Sequence, residues 1–271
     1  MTNKLKYTFF FVSIFFVFDI GVVHAKKIKA YFNYAAFKSN ENKSYIETYM
    51  SIVGKSVEFR KNQNNKFQAS VNINVAFLIN NQIRFAQKYN LKSPEVKDTL
   101  SSLPVFIDMQ RIELGDTGTY TMEMEITDIN TRHLTPVKFT QNIYIGLSKD
   151  SLDFSDIELI ESYSKTNSPN ILSKAGYDMV PYISSFYHDE MNQLSFYAEL
   201  YNSKKIFKEK DVFLITCSVE SYETGLKLMN YSRFFKHTPQ DIVSVFAEFP
   251  IQDLPTGNYY LVIEAKDKSN K

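Results

Sequence analysis

The chain has 271 residues with 31 basic and 30 acidic side chains, a net charge of +1, and so lacks the basic excess that a nucleic-acid-binding face requires. Its length is sufficient for two domains that each bury a core. Cys217 is the only cysteine, which excludes an internal disulfide and leaves stability to packing, with 23 Phe and 18 Tyr as its main source.

Residues 1–25 read as a signal peptide. Lys4 and Lys6 give a basic start, Tyr7 to Phe18 is apolar, and Val23-His24-Ala25 supplies the small residue of a cleavage site. The apolar run is shorter than the about 20 residues that span a bilayer; a retained membrane anchor is the alternative. Cleavage would remove two lysines and one aspartate, leaving the two signs equal in number. Lys26 stands where a lipoprotein would have cysteine.

Lys29 to Phe37 predicts a first strand, Ser39 to Lys43 a polar turn, and Tyr45 to Val53 a second strand with Tyr45, Glu47 and Tyr49 on one face. Phe67, Ala69, Val71, Ile73, Val75, Phe77 and Ile79 alternate with mostly polar residues. Asn80-Asn81 then predicts a two-residue turn into Ile83 and Phe85, because Asn tolerates positive φ. Ser93-Pro94 predicts a helical turn running to about Leu100, with proline at its first position. Phe106 to Leu114, a strand after Thr117, and Phe139 to Leu147 complete a first domain, residues 26–148.

Ser148 to Ser155 is short and polar and marks the boundary; Asp150, Asp153 and Asp156 read as a solvated linker because they lack the glycine and glutamate of a calcium loop. The second domain, 149–271, opens with a strand at Ile157 to Tyr163. Ser168-Pro169 to Gly176 reads as a structured connection. Met179 to Tyr187 is extended, with Pro181 at an edge. Leu194 to Tyr201, the inward row Phe213, Ile215, Cys217 and Val219, a turn at Glu223-Thr224-Gly225, and the row Val243, Val245, Ala247 and Phe249 follow. No window sustains a 3.6-residue period, which is an all-β signature.

One stretch occurs twice. Thr117-Gly-Thr-Tyr-Thr-Met-Glu-Met-Glu-Ile-Thr-Asp128 returns without a gap as Thr256-Gly-Asn-Tyr-Tyr-Leu-Val-Ile-Glu-Ala-Lys-Asp267. Both alternate as half-buried strands entered by a tight turn, and each is expected to be a late, central strand. Tyr45-x-Glu47-x-Tyr49 likewise returns as Tyr197-x-Glu199-x-Tyr201. Two echoes in the same order predict two tandem immunoglobulin-like β-sandwich domains. Asp116-x-Gly118-x-Tyr120 matches a tyrosine corner, with Met122 and Leu261 where the cysteine would stand. The second sandwich is expected to stop short of its final edge strand.

The chemistry-bearing candidates are few. The two Tyr-x-Glu-x-Tyr faces are either ligand platforms or sandwich faces whose glutamate pairs with a lysine. Cys217 lies in an apolar row and reads as a core thiol. His188-Asp189-Glu190 cannot converge on one ion from an extended chain, and only His133 and His237 accompany it after the leader, so no metal and no cofactor is expected. No catalytic motif is found. Tyr177, Tyr182 and Tyr187 are the candidate binding residues, as an aromatic platform for carbohydrate in a chain with no tryptophan.

Ser44-Tyr-Ile-Glu-Thr-Tyr49, Val53-Gly-Lys-Ser56, Ser93-Pro-Glu-Val96, Ile160-Glu-Ser-Tyr163, Ser168 to Asp178, Ser221-Tyr-Glu-Thr-Gly225 and Leu254-Pro-Thr-Gly257 together resemble the N-terminal β-rich region of GWxTD-domain-containing proteins. The resemblance implies an exported protein of a Gram-negative bacterium, in the periplasm or at the cell surface. The naming motif lies further toward the C-terminus in that family and is absent here. The expected role is a non-enzymatic protein-interaction module of the envelope with a protein partner. The alternatives are an accessory half of an exported enzyme whose C-terminal part is missing, or a carbohydrate-binding module.

Overall fold

The computed structural model describes residues 27–266 apart from 40, 42, 101, 116, 132–134 and 185. The predicted leader, Asp116 and His133 lie outside the described residues. The fold is almost entirely antiparallel β. Its strands are β1 (Ala30–Lys38), β2 (Ser44–Ile52), β3 (Phe59–Lys61), β4 (Phe67–Ile79), β5 (Gln82–Lys92), β6 (Phe106–Glu113), β7 (Gly118–Asp128) and β8 (Val137–Ile145). They continue as β9 (Asp153–Phe154), β10 (Glu158–Lys165), β11 (Ser173–Lys174), β12 (Tyr177–Pro181), β13 (Gln193–Tyr201), β14 (Phe213–Ser221), β15 (Lys227–His237), β16 (Ile242–Pro250) and β17 (Tyr259–Lys266). Among the described residues the α-helix is a single turn, α1 (Ser203–Ile206), and no helix is long and apolar enough to cross a membrane.

In the first sandwich the sheet β1-β2-β6 faces the sheet β3-β4-β7-β8, with β5 also on β4. The alternating row Val71, Ile73, Val75 and Phe77 meets Tyr120, Met122, Met124 and Ile126 of β7 and Ile46, Met50 and Ile112 opposite. Asn80 and Asn81 have φ of 51° and 61°, the left-handed pair that a tight hairpin needs. The Tyr120 hydroxyl donates to the Leu114 carbonyl at 3.2 Å, which closes the tyrosine corner.

In the second sandwich β11-β12-β10-β13-β16, with β9 on β13, faces β15-β14-β17. Phe196, Ala198 and Leu200 of β13 and Val243 to Phe249 of β16 pack on Phe213, Ile215, Cys217 and Val219. The two sandwiches meet face to face. Alternate residues of β2 and β13 point away from their own cores, and Ala35, Phe37, Tyr49, Ile160, Met179 and Tyr197 form a third apolar cluster there.

The structure corrects three expectations and adds one strand that was not foreseen. Ser93 to Leu100 is not helical: Val96 forms a β-bridge with Phe67, and the Ser93 hydroxyl accepts from the Ala69 amide rather than capping a helix. The aspartate segment is solvated at Asp150, but its other two aspartates are engaged. Asp153 accepts from the Ser148 amide at 2.6 Å and lies in a strand paired with β13, and Asp156 accepts from the Ala36 amide at 2.9 Å. The extended run from Met179 ends as a strand at Pro181, which lies beyond the reach of β11. β15 was not expected, since Lys227 to His237 shows no clean alternation. Among the described residues β17 pairs with β14.

Candidate functional site at the junction

The junction brings the two Tyr-x-Glu-x-Tyr faces together. Glu47 is fully buried, an expensive place for a carboxylate without partners. Its Oε1 accepts from Arg111 Nε at 2.6 Å; Arg111 lies directly across from it in the β2–β6 register. Its Oε2 accepts from the Tyr49 hydroxyl at 2.7 Å and pairs with Lys174. Lys174 comes from the other sandwich and also binds Glu158. The ammonium lies 4.4 Å from the Phe37 ring centre, with the Tyr49 and Tyr197 rings within 6 Å, a cation–π cage in a dry setting.

A hairpin carries Lys174 there. β11 and β12 are joined through Ala175 and Gly176, with φ of 48° and 84°. Asp178 fixes the loop by accepting from Thr166 Oγ1 at 2.8 Å, Asn170 Nδ2 at 3.0 Å and the Ser173 hydroxyl. These hydrogen bonds, led by that of Ser173, hold the Asp178 carboxyl below its usual range. Arg111 reaches across to the Ser173 carbonyl at 3.3 Å.

Glu158, at the start of β10, is the least well satisfied member. Lys174 binds Oε2, whereas Oε1 is buried with no hydrogen-bond partner among the described residues. Burial, opposed by Lys174 and reinforced by nearby Glu47, raises its carboxyl to about 7. Glu199 is held differently: Tyr197 and Tyr201 each donate to it at 2.6 Å. Burial first, and Glu199 second, push both phenols well above their ordinary values. The Tyr201 oxygen in turn accepts from the Lys38 amide at 2.9 Å. With Asp156 on the Ala36 amide, this covers the otherwise open edge of β1 with groups of the second sandwich.

A cleft of about 460 Å³ opens beside the cluster, with Lys38, Tyr45, Arg111, Lys174, Glu199 and Ile242 on its walls. Its three cations are engaged: Arg111 on Glu47, Lys174 on Glu47 and Glu158, Lys38 on the Ser148 carbonyl. The arrangement can bind one sandwich to the other.

The predicted platform residues are divided. Tyr177 stacks on Phe246 at 5.9 Å and 11°, and Tyr163 closes on the same rings edge-on. Tyr182 and Tyr187 contact each other at 4.8 Å. Among the described residues no ring contact joins Tyr177 to that pair. His188, Asp189 and Glu190 are exposed, and among the described residues no three His, Cys, Asp or Glu side chains gather as a metal site. Cys217 is fully buried and burial raises its thiol to about 12. Lys174, Glu158 and Arg111 were missed as site residues. The available signal was the second Tyr-x-Glu-x-Tyr, which placed two carboxylates on outward sheet faces that needed cations from elsewhere.

No family model matches the chain, and no curated protein matches it. Among solved structures it is similar to red sea bream transglutaminase, at 9% identity and a TM-score of 0.28, over 92% of this chain and 30% of that one. The chain thus spans under a third of that enzyme's length. A likeness this low carries no argument about activity.

Proposed function

We propose that the chain is a non-enzymatic protein-interaction module that works in the periplasm or at the cell surface of a Gram-negative bacterium. The observation that carries this reading is the use made of the charged junction. Glu47, Glu158, Lys174 and Arg111, the group with the most potential for chemistry, are spent on one another in holding two sandwiches together. What is left for other molecules is sheet edge and exposed aromatic surface, the usual material of protein contacts. The leader-like residues 1–25 and the resemblance to GWxTD-domain-containing proteins favour the location.

The test is affinity capture from an envelope extract with the purified protein as bait, followed by mass spectrometry of cross-linked species. A saturable protein partner is expected. Capture of nothing, or of a glycan displaced by free sugar, would defeat the reading. The intact mass of the protein from its own cells separates the alternative of an accessory half of an enzyme, which requires a product extending past Lys271.

A further inference from the structure

The two Tyr-x-Glu-x-Tyr faces are not provided for alike. Glu47 draws Arg111 from the strand beside it and Lys174 from the other sandwich. Glu199 holds the equivalent place on β13 and is also buried. Ser244 stands across from it in the β13–β16 register, where Glu47 has Arg111. Its oxygens accept from the Tyr197 and Tyr201 hydroxyls, and among the described residues no cation pairs with it. A carboxylate out of water with neutral donors alone is unfavourably placed.

A nearby ammonium lacks the opposite charge. Lys38 is 3% exposed. Its Nζ donates to the Ser148 carbonyl and lies 5.2 Å from the centre of the Tyr201 ring. Among the described residues no carboxylate pairs with it: Asp153 is taken up by the Ser148 amide and Asp150 by Lys205. An ammonium has three N–H donors, and the carbonyl uses one of them. Lys38 and Glu199 do not pair with each other. Tyr201 stands between them, its hydroxyl on Glu199 and its ring against Lys38.

Both groups are on the walls of the cleft of about 460 Å³, a volume within the about 300–1,000 Å³ of small-molecule sites. The other charges there leave this pair unmatched. Arg111 and Lys174 are balanced by Glu47 and Glu158, and Glu113 is exposed. Tyr45 and Ile242 add a ring and an apolar wall, and among the described residues the Tyr45 hydroxyl makes no hydrogen bond. A simple cation in the cleft would leave Lys38 without a counter-charge, and a simple anion would leave Glu199 without one. A molecule carrying an ammonium and a carboxylate on one carbon meets both, with a charge-assisted hydrogen bond of about 2.8 Å at each end.

We propose that the cleft between the sandwiches binds a free α-amino acid, with its ammonium on Glu199 and its carboxylate on Lys38. This is a small-molecule site. It goes beyond the interaction-module reading and stands or falls without it.

The probe is a panel of free L-amino acids, titrated one at a time into the purified protein and followed by its amide NMR shifts. The N-acetyl form of each, which lacks the ammonium, and the carboxamide, which lacks the carboxylate, are the controls. At least one free amino acid should bind with a Kd at or below about 1 mM. Loss of either charge should weaken it roughly tenfold or more, the size of one charge-assisted hydrogen bond. Lys38→Met should abolish the preference for the free acid over its carboxamide and keep the preference over the N-acetyl form; Glu199→Gln should do the reverse. The controls are read on the unaltered protein, so they decide the matter even where a variant folds poorly. No shift from any free amino acid at about 10 mM, or binding that needs only one of the two charges, would overturn the proposal. Binding with both preferences intact in both variants would overturn it as well, by placing the ligand elsewhere.

Discussion

Replacing Lys174 by methionine tests the junction most sharply. Methionine preserves much of the unbranched stem that packs near Phe37, Tyr49 and Tyr197 and removes only the charge. Glu47 retains Arg111, but Glu158 loses the ammonium that binds it and sits buried with no ion-pair partner among the described residues. Breaking a buried pair in this way costs about 3–5 kcal/mol, or a fall of roughly 6–20 °C in Tm for a chain of this size. The loss depends on pH. Glu158 titrates near 7 with Lys174 in place; without the ammonium it titrates higher still. At pH 5.5 the carboxyl is neutral in both proteins, and the cost shrinks to that of Glu47 losing one of two cations. Urea unfolding of both proteins at pH 5.5 and pH 8 measures the difference. A destabilisation that is the same at both pH values, or below about 1 kcal/mol at pH 8, would refute the account of Lys174 as the counter-charge of Glu158.

In the native protein the Glu158 carboxyl, near 7, lies above its unfolded value of about 4.5, so the folded state binds the extra proton between those values. Its contribution makes stability fall as pH rises from about 4.5 through 7, on the order of 3 kcal/mol for a shift of that size. Glu158→Gln should flatten that part of the stability–pH curve, with Lys174, Glu47 and Arg111 still facing the site; an unchanged slope would contradict the assignment. Tyr201→Phe removes a donor from Glu199 and the acceptor of the Lys38 amide, and should cost about 1–3 kcal/mol in denaturant unfolding. Tyr120→Phe, which loses the corner bond to Leu114, should cost about 1 kcal/mol. The exposed Tyr259 bond to the Pro255 carbonyl should be worth less than half of that when Tyr259→Phe is measured alongside. Cys217 should resist a thiol reagent at pH 8 until the protein unfolds, at a rate that follows urea concentration; fast labelling of the folded protein would contradict its burial.

The strands were legible wherever one face meets a core and the other water. Val71 to Phe77 alternates because β4 is covered on one side only, and the left-handed Asn80-Asn81 turn follows from residue chemistry. β15 was illegible for the opposite reason: Tyr231, Ser232 and Arg233 are all half-buried in succession, so no period of two survives. Alternation also assigns faces without assigning neighbours. Nothing in Thr256 to Asp267 says which strands flank it, and the described residues give β17 one neighbour where β7 has two. The junction was half legible. That Glu47 and Glu199 each lie between tyrosines on an outward face could be read directly; that the two faces meet, and that a hairpin more than a hundred residues from Glu47 carries the lysine between them, depends on tertiary stacking.

That stacking explains why the junction is polar. Two bare apolar faces would slide, since Ala35, Phe37, Ile160, Met179 and Tyr197 offer contact without direction. The charged groups add little net stability, because desolvating Glu47, Glu158 and Lys174 offsets most of their attraction, but they penalise every other alignment. Moving β2 by two residues relative to the second sandwich withdraws Lys174 from Glu47, and moving the β11–β12 hairpin strands Glu158 as well. The apolar cluster therefore supplies the adhesion and the ion network the register. The same division predicts that a Glu47, Glu158 and Lys174 triple replacement by apolar residues of similar volume would leave unfolding free energy nearly unchanged, while cross-linking between the sandwiches would lose its single preferred pairing.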